Sequence, residues 1–310
     1  MLNIRRIAKS VNAAGFLDPG AGQAGARVPA PRQGPEHGVA YGPRRDIHSR
    51  AAWNPGLWSR YVALGDSFTA GLGDPEPLSP GGMRGWADRI AEELSEGRTD
   101  FRYANLAVSG LLLRQILDRQ LGPAIALKPD LVTLSAGGND LVFHRSDPDR
   151  LAADLDAAVG MLSATGATIV LFTGPDWRDT PLLGHNRGRV AVFNENIRTI
   201  AARHHGVIAD LWTLRQLADP QMWDPDRLHF SPIGHHTIAA MVLESLGVAH
   251  TLTPLEPKPM PAASWRDSKA GDLAWFTTYL LPWMIRRVRK RSDAPPLAPK
   301  RPEPGPVYGS

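Results

Sequence analysis

Cysteine is absent from the 310 residues of the sequence. The chain therefore has no disulfide framework, no thiolate nucleophile and no metal site with cysteine ligands. A chain without cysteine suits a reducing compartment, and we expect a cytoplasmic location.

Long apolar runs are also missing. No stretch of about 18 apolar residues occurs, which argues against a transmembrane helix. The first 22 residues carry early positive charge, but they contain no unbroken apolar segment of signal-peptide length followed by a cleavage site. The sequence therefore predicts neither a membrane span nor a secretory signal peptide.

Positive charge is scarce in the centre of the chain, although the formal net charge is +4. Residues 1–58 carry a net charge of +5, residues 59–250 carry −6, and residues 251–310 carry +5. A nucleic-acid-binding face needs Lys and Arg clustered on the folded part of a protein. Nucleic acid is therefore not an expected partner.

Composition divides the chain into three segments. Residues 1–57 are rich in Gly, Pro, Ala and Arg without a sustained period, which predicts a disordered N-terminal extension. Residues 58–250 show regular apolar patterns and are predicted to form one folded domain. Residues 251–310 begin as a proline-rich linker, continue as a helical stretch from Ser264 to Arg291, and end in a tail predicted to be disordered.

Short apolar segments alternate with helical patterns in the central segment. Helical spacing is clearest where Trp86, Ile90 and Leu94 recur every four residues. Five segments are predicted as strands, namely 60–64, 101–107, 131–136, 167–173 and 206–211. This alternation indicates an α/β fold with a five-stranded parallel sheet and helices on both faces, in which ligands bind at the carboxyl ends of the strands.

Five residues of chemical interest follow the predicted strands. Ser67 comes after the first strand, Gly110 after the second and Asn139 after the third, while Asp226 and His229 come after the fifth. Because the carboxyl ends of parallel strands meet at one edge, we expect these residues to lie close together.

The residue types at this edge match the needs of acyl-ester hydrolysis. A serine hydroxyl needs an imidazole to take its proton, and the imidazole needs a carboxylate to fix its tautomer. The D-x-x-H spacing favours Asp226 over Asp224 as the partner of His229. The negative oxygen of the tetrahedral intermediate needs preorganised donors. The candidates are the backbone N–H groups of Ser67 and Gly110 and the side-chain amide of Asn139.

In this order, GDS, a glycine after the second strand, GGND and D-x-x-H-x-x-x-x-G-H resemble the four blocks of the SGNH (GDSL) hydrolase family. The resemblance spans residues 60–247, and the first block reads GDSF in place of GDSL. It implies a three-layer α/β/α, flavodoxin-like domain and a carboxylic ester hydrolase without cofactor or metal. It also implies a triad of Ser67, His229 and Asp226, with Gly110 and Asn139 completing the oxyanion hole.

Four other polar residues near the blocks are assigned structural roles. Asp66 and Asp140 are predicted to cap or brace their loops, and His235 and His236 are predicted to be packing or surface histidines.

Two other classes of protein would account for part of this pattern of residues. In a flavodoxin-like binding protein, the hydroxyls of Ser67 and Thr69 would hold a flavin phosphate, but Asp226 and His229 would have no purpose. A metal hydrolase would need HxxxH or HxH pairs with a suitably placed carboxylate, and the sequence has none.

The substrate is expected to be a small-molecule ester with a short acyl or acetyl group. Trp177, Leu182 and Leu183 are predicted to form an apolar wall, and Arg178 to meet a polar or anionic group. The blocks do not separate esterases from thioesterases, lysophospholipases and carbohydrate deacetylases.

The stretch from Ser264 to Arg291 has an apolar stripe followed by five basic residues within six positions. One interpretation is a helix packed on the folded domain, with its basic end complementing the helix dipole. The other is a peripheral membrane contact between this amphipathic helix and anionic lipid.

Overall fold

Six strands make up the sheet of the computed structural model, which describes residues 58–144, 146–178, 180, 183–257 and 298–307. They are β1 (Arg60–Leu64), β2 (Arg102–Asn105), β3 (Leu131–Leu134), β4 (Thr168–Phe172), β5 (Val207–Ala209) and β6 (Arg301–Gly305). The first five lie within two residues of the predicted bounds. All five are short and largely buried, as strands covered on both faces are.

Eight α-helices lie between or after these strands in the described part of the chain. They are α1 (Ser67–Ala70), α2 (Gly85–Ser95), α3 (Leu113–Ile116), α4 (Gly122–Ala126), α5 (Gly138–Phe143), α6 (Pro148–Ser163), α7 (Arg187–Arg203) and α8 (Pro232–Ser245). A π-helical turn at Leu117–Leu121 joins α3 to α4. The predicted start of α8 is confirmed, because the Ser231 side chain accepts a hydrogen bond from the Gly234 N–H and Pro232 occupies the first turn.

The sheet has the strand order β5-β4-β3-β1-β2-β6. Strands β1 to β5 run parallel, and buried apolar side chains form a core on each face. One core contains Trp86 of α2 and Val242 of α8, and the other contains Leu155 of α6 and Ile197 of α7. The predicted three-layer α/β/α architecture is therefore confirmed.

The sixth strand differs from the prediction of a five-stranded, wholly parallel sheet. Strand β6 pairs antiparallel with β2 at the edge of the sheet, and it comes from the tail for which no regular structure was expected. Its sequence, RPEPG, has no apolar alternation, and its two prolines restrict it to an edge position. Contacts distant in sequence hold it, among them the Arg301 guanidinium 5.5 Å from the centre of the Tyr103 ring.

Two predicted segments lie outside the described residues: the N-terminal extension, 1–57, and the amphipathic helix from Ser264 to Arg291. Within the described part of the chain, none of the helices has both the length and the apolar character required to cross a membrane. The cytoplasmic location stays a prediction.

His235 is a fully buried residue of α8. Its Nδ1 accepts a hydrogen bond from the Trp86 N–H at 3.2 Å, and its Nε2 lies 2.9 Å from the Leu72 carbonyl oxygen. The ring stacks on Phe68 at a centroid distance of 6.2 Å. Burial disfavours the imidazolium and lowers the pKa of His235 to about 4. His235 is thus a packing histidine that links α8 to α2 in its neutral form.

We predict that this buried imidazole makes the fold sensitive to acid. Its folded pKa of about 4 lies below the value of about 6.5 in the unfolded chain, so its contribution is complete above pH 6.5 and is lost as the pH falls toward 4. The free energy of unfolding should fall by up to about 3 kcal/mol over this interval because of His235. Urea denaturation of the wild type and the His235→Gln variant at several pH values measures this contribution. Equal pH dependence in both proteins would show that it is absent.

Candidate active site

Ser67 begins α1 directly after the first strand. Between β1 and Ser67, Gly65 adopts φ = 156°, and a Cβ there would lie 2.3 Å from Thr69 Oγ1 and 2.8 Å from the Ser135 carbonyl oxygen. Only glycine fits this close approach between strand and helix. Asp66 caps α1 by accepting a hydrogen bond from the Phe68 N–H at 3.1 Å. The turn therefore places Ser67 at the carboxyl end of β1.

His229 reaches Ser67 from the segment between β5 and α8. Its Nε2 lies 2.9 Å from Ser67 Oγ, and its Nδ1 lies 2.5 Å from Asp226 Oδ2. The other oxygen, Asp226 Oδ1, accepts hydrogen bonds from the N–H groups of Leu228 at 2.8 Å and His229 at 2.9 Å. With the proton on Nδ1 facing the carboxylate, Nε2 is left as an acceptor for the serine hydroxyl. The turn that makes this possible contains Arg227 with φ = 53°.

The two nearby carboxylates differ in their surroundings. Burial by itself would raise the pKa of Asp226, but its hydrogen bonds and the attraction of His229 outweigh burial and lower that pKa below its ordinary value. Burial raises the pKa of Asp224, whose carboxylate accepts a hydrogen bond from the Asp226 N–H at 3.3 Å. The structure thus brings Asp226, as the D-x-x-H spacing predicted, into contact with the imidazole.

Gly110 and Asn139 meet Ser67 and His229 at one cavity of about 960 Å³. Gly110 has φ = 80°, which favours glycine at this position after β2. Asn139 lies in the first turn of α5, after the third strand. Asp226 stands behind the His229 ring. The structure therefore brings together all five residues that the sequence placed at the sheet edge.

The side chain of Asn139 is held by two hydrogen bonds. Its Nδ2 donates to Asp66 Oδ2 at 2.9 Å and to the Leu111 carbonyl oxygen at 2.9 Å. Asp66 therefore does more than cap α1, because it also orients the amide beside the cavity. Sequence reasoning missed this contact, since Asp66 and Asn139 are 73 residues apart. Asp140 braces its loop as predicted by accepting a hydrogen bond from the Leu113 N–H at 2.9 Å.

Aromatic and aliphatic side chains form much of the cavity wall. Trp177 and Leu183 line it, as the predicted apolar wall requires, while Leu182 lies outside the described residues. Arg178 is not among the described residues that line the cavity. Its side chain is 66% exposed and lies 3.4 Å from the carboxylate of Asp176, so the structure does not place it against a bound substrate.

Further wall residues come from elements that sequence reasoning did not connect with the site. Phe172 at the end of β4 and Phe193 on α7 both line the cavity. A Cβ at Gly137 would lie 2.8 Å from the Phe193 ring, so glycine permits the ring to approach the start of α5. In the sequence, only their apolar character could have indicated Phe172 and Phe193. That character does not distinguish a residue of the cavity wall from a residue of the hydrophobic core.

The alternative of a flavin-phosphate site at Ser67 and Thr69 is not supported by this geometry. Thr69 is fully buried, and its hydroxyl donates to the Leu64 carbonyl oxygen at 3.3 Å. The hydroxyl of Ser67 is paired with His229. Both hydroxyls therefore already have partners within the protein.

Comparisons with known proteins agree with this arrangement. Residues 63–237, more than half of the chain, match the family model described as "GDSL-like Lipase/Acylhydrolase family". This span includes Ser67, Gly110, Asn139, Asp226 and His229. A comparison with curated proteins returned no match.

Solved structures share the fold. The chain is 25% identical to LAE5, an alpha/beta hydrolase enzyme from the metagenome of Lake Arreo, with a TM-score of 0.51 over 61% of this chain and 95% of that one. It is 21% identical to Axe2, an acetylxylan esterase from Geobacillus stearothermophilus, with a TM-score of 0.52 over 62% and 95% of the two chains. For TesA the identity is 23% and the TM-score 0.50, over 60% and 97%.

The blocks of the sequence, the three-layer fold and the family match agree, and the chain belongs to the GDSL-like lipase/acylhydrolase family of ester-hydrolysing enzymes.

Proposed function

We propose that the protein hydrolyses small-molecule carboxylic esters with Ser67 as nucleophile, His229 as general base and Asp226 as the carboxylate that orients His229. The observation that carries this proposal is the unbroken hydrogen-bonded series from Asp226 through His229 to Ser67, with distances of 2.5 and 2.9 Å. This is the geometry that transfers the serine proton to the imidazole as Oγ attacks a carbonyl carbon.

The first half of the reaction forms an acyl-enzyme. As Ser67 Oγ bonds to the carbonyl carbon, its proton moves to His229 Nε2, and the carbonyl oxygen becomes negative. Asp226, whose pKa is lowered, is ionised at neutral pH and stabilises the imidazolium. Collapse of the tetrahedral intermediate releases the alcohol, which takes the proton from His229 Nε2.

The second half repeats these steps with water. His229 Nε2 takes a proton from water as its oxygen attacks the acyl carbon, and Ser67 leaves with the returned proton. In both halves the negative oxygen is stabilised by the backbone N–H groups of Ser67 and Gly110 and by the Asn139 amide. Asn139 Nδ2 has two hydrogens, which the structure directs to Asp66 and to the Leu111 carbonyl beside the cavity, so the amide donates to the oxyanion by giving up one of these two bonds.

The cavity supports a substrate of limited size. Its volume of about 960 Å³ is in the range of pockets that enclose drug-sized ligands, so an ester fits together with part of its alcohol. The preference for short acyl or acetyl esters is part of this proposal. Thioesters and lysophospholipids present the same acyl carbonyl to Ser67 and remain the alternative acyl donors.

Removal of the nucleophile or base should abolish most of the activity. Ser67→Ala and His229→Ala should each lower kcat on p-nitrophenyl acetate by several orders of magnitude, because the remaining triad members cannot act alone. Asn139→Ala should lower kcat about 10²- to 10³-fold through loss of one oxyanion donor. Circular dichroism of each variant serves as the folding control. Wild-type turnover by Ser67→Ala would refute the mechanism.

Asp226 and Asp224 provide a matched pair of variants. Asp226→Asn should lower kcat about 10⁴-fold, because an amide no longer enforces the required imidazole tautomer. Asp224→Asn should have a much smaller effect, since its side-chain oxygen can still accept from the Asp226 N–H. Steady-state kinetics of both variants at pH 7 make the comparison. Equal losses in the two proteins would contradict the assignment of Asp226.

The length of the substrate's acyl chain should affect turnover. We expect kcat/KM to be higher for acetyl to butyryl esters than for emulsified long-chain triglycerides, whose three acyl chains are too large for a cavity of about 960 Å³. A series of p-nitrophenyl esters, with matched acyl thioesters and a lysophospholipid, tests substrate length and class together. Efficient hydrolysis of emulsified triolein would contradict the size limit.

A further inference from the structure

Lys300 lies just before β6, outside the span that matches the family model. Its side chain is only 6% exposed. The ammonium donates to the carbonyl oxygens of Met83 at 3.0 Å and Arg84 at 2.7 Å, and to Asp88 Oδ2 at 3.0 Å. All three hydrogens of the ammonium group are used. A buried lysine needs such partners, and here they fix the C-terminal segment against the start of α2.

Asp88 connects Lys300 to a buried hydrogen-bond network. The Asp88 side chain is 2% exposed, and its Oδ1 accepts a hydrogen bond from the Tyr103 hydroxyl at 2.8 Å. The Tyr103 oxygen accepts in turn from Asn105 Nδ2 at 3.0 Å. Asn105 Nδ2 also donates to the Thr69 carbonyl oxygen at 2.9 Å. The network therefore runs without interruption from Lys300 to the backbone of α1.

The far end of this network is the helix that carries Ser67. Thr69 is two residues after Ser67, and α1 has only four residues, so few hydrogen bonds within the helix hold it. A second path leads to the same helix. Lys300 binds the Arg84 carbonyl, and a Cβ on the next residue, Gly85, would lie 2.5 Å from the Cα of Gly71, which ends α1. Lys300 thus contacts α1 indirectly through side chains and through backbone packing.

The charge of Lys300 sets the direction of the hydrogen bonds. Burial raises the pKa of Asp88, and the attraction of Lys300 opposes this rise and favours the ionised carboxylate. An ionised carboxylate can only accept hydrogen bonds, so the Tyr103 hydroxyl donates its hydrogen to Asp88. The Tyr103 oxygen then accepts a hydrogen bond from Asn105. Without Lys300, the Asp88 carboxylate would lose the buried cation that offsets its desolvation, and its hydrogen bond with Tyr103 would lose that support. The amide that holds the Thr69 carbonyl would then lose its fixed orientation.

We propose that Lys300 is a positioning residue for Ser67, acting through Asp88, Tyr103 and Asn105 on the backbone of α1. This inference rests on the proposed role of Ser67 as the nucleophile. It assigns to a residue just before β6 a part in the geometry of a site formed by residues 67–229.

The test uses the full chain with Lys300→Met. We expect kcat on p-nitrophenyl acetate, expressed per site titrated with a fluorophosphonate, to fall about ten- to a hundred-fold, because a small misplacement of a reacting group has effects of this size. KM should stay near the wild-type value. The rate is measured well below the melting temperature of the variant, so that unfolding does not contribute to the loss of activity.

Two further variants separate positioning from stability. Glu303→Gln changes an exposed residue of β6, three positions after Lys300, and should leave kcat unchanged. The double variant Lys300→Gln with Asp88→Asn removes the buried charges but keeps donor groups for the Met83 and Arg84 carbonyls and an oxygen that accepts from Tyr103, so it should recover much of the kcat that Lys300→Gln loses. If Lys300→Met does not fold, Lys300→Gln, which retains donor groups for the two carbonyls, takes its place in the same comparison.

The outcomes are distinguishable. A wild-type kcat per titrated site in Lys300→Met or Lys300→Gln, with only a lower melting temperature, overturns the positioning role and leaves the nucleophile intact. Failure of the double variant to recover any activity overturns the proposed path through Asp88. Labelling of the wild type at a residue other than Ser67 overturns both the proposed mechanism and this inference.

Discussion

The parallel pairing of β1 with β2 and β3 is the constraint on which the site depends. Hydrogen bonds continue past the strand ends, from the Leu106 N–H to the Ala63 carbonyl at 2.9 Å and from the Ser135 N–H to the Leu64 carbonyl at 3.2 Å. Parallel strands deliver the segments that follow them to one edge of the sheet. Three separate segments of the chain thereby meet around Ser67, and His229 joins them from the segment between β5 and α8.

Around Ser67, buried carboxylates hold elements in place by accepting hydrogen bonds. Asp66 joins α1 to α5 through Asn139, and Asp74 pairs with Arg89 and accepts from the Gly85 N–H at 2.8 Å. Asp88 accepts from Tyr103 and Lys300. A buried charge is tolerated only when it is paired and fully hydrogen-bonded, so each carboxylate fixes the position of its donors. These contacts therefore join α1 and the loop that follows it to α5 and α2.

Strand β6, at the edge of the sheet, is stable although its sequence gives little indication of a strand. Strand β6 covers the outer edge of β2, and its prolines cannot donate to a further strand, which suits it to the end of a sheet. It is stabilised by the buried contacts of Lys300 and by Arg301, which lies on the Tyr103 ring and donates to the Val307 carbonyl at 2.9 Å. These contacts explain why a segment without apolar alternation is ordered.

The sequence by itself determined the features that depend on neighbouring residues. Apolar runs specified five strands, and the spacing of Asp226 and His229 allowed them to meet across one turn. Their positions after strands placed them with Ser67, Gly110 and Asn139, because parallel strands end at one edge. Only the tertiary structure decided the contact of Asp66 with Asn139, the outward position of Arg178 and the pairing of β6. Each of these depends on a side-chain direction or on a partner many residues away, and neither leaves a local period in the sequence.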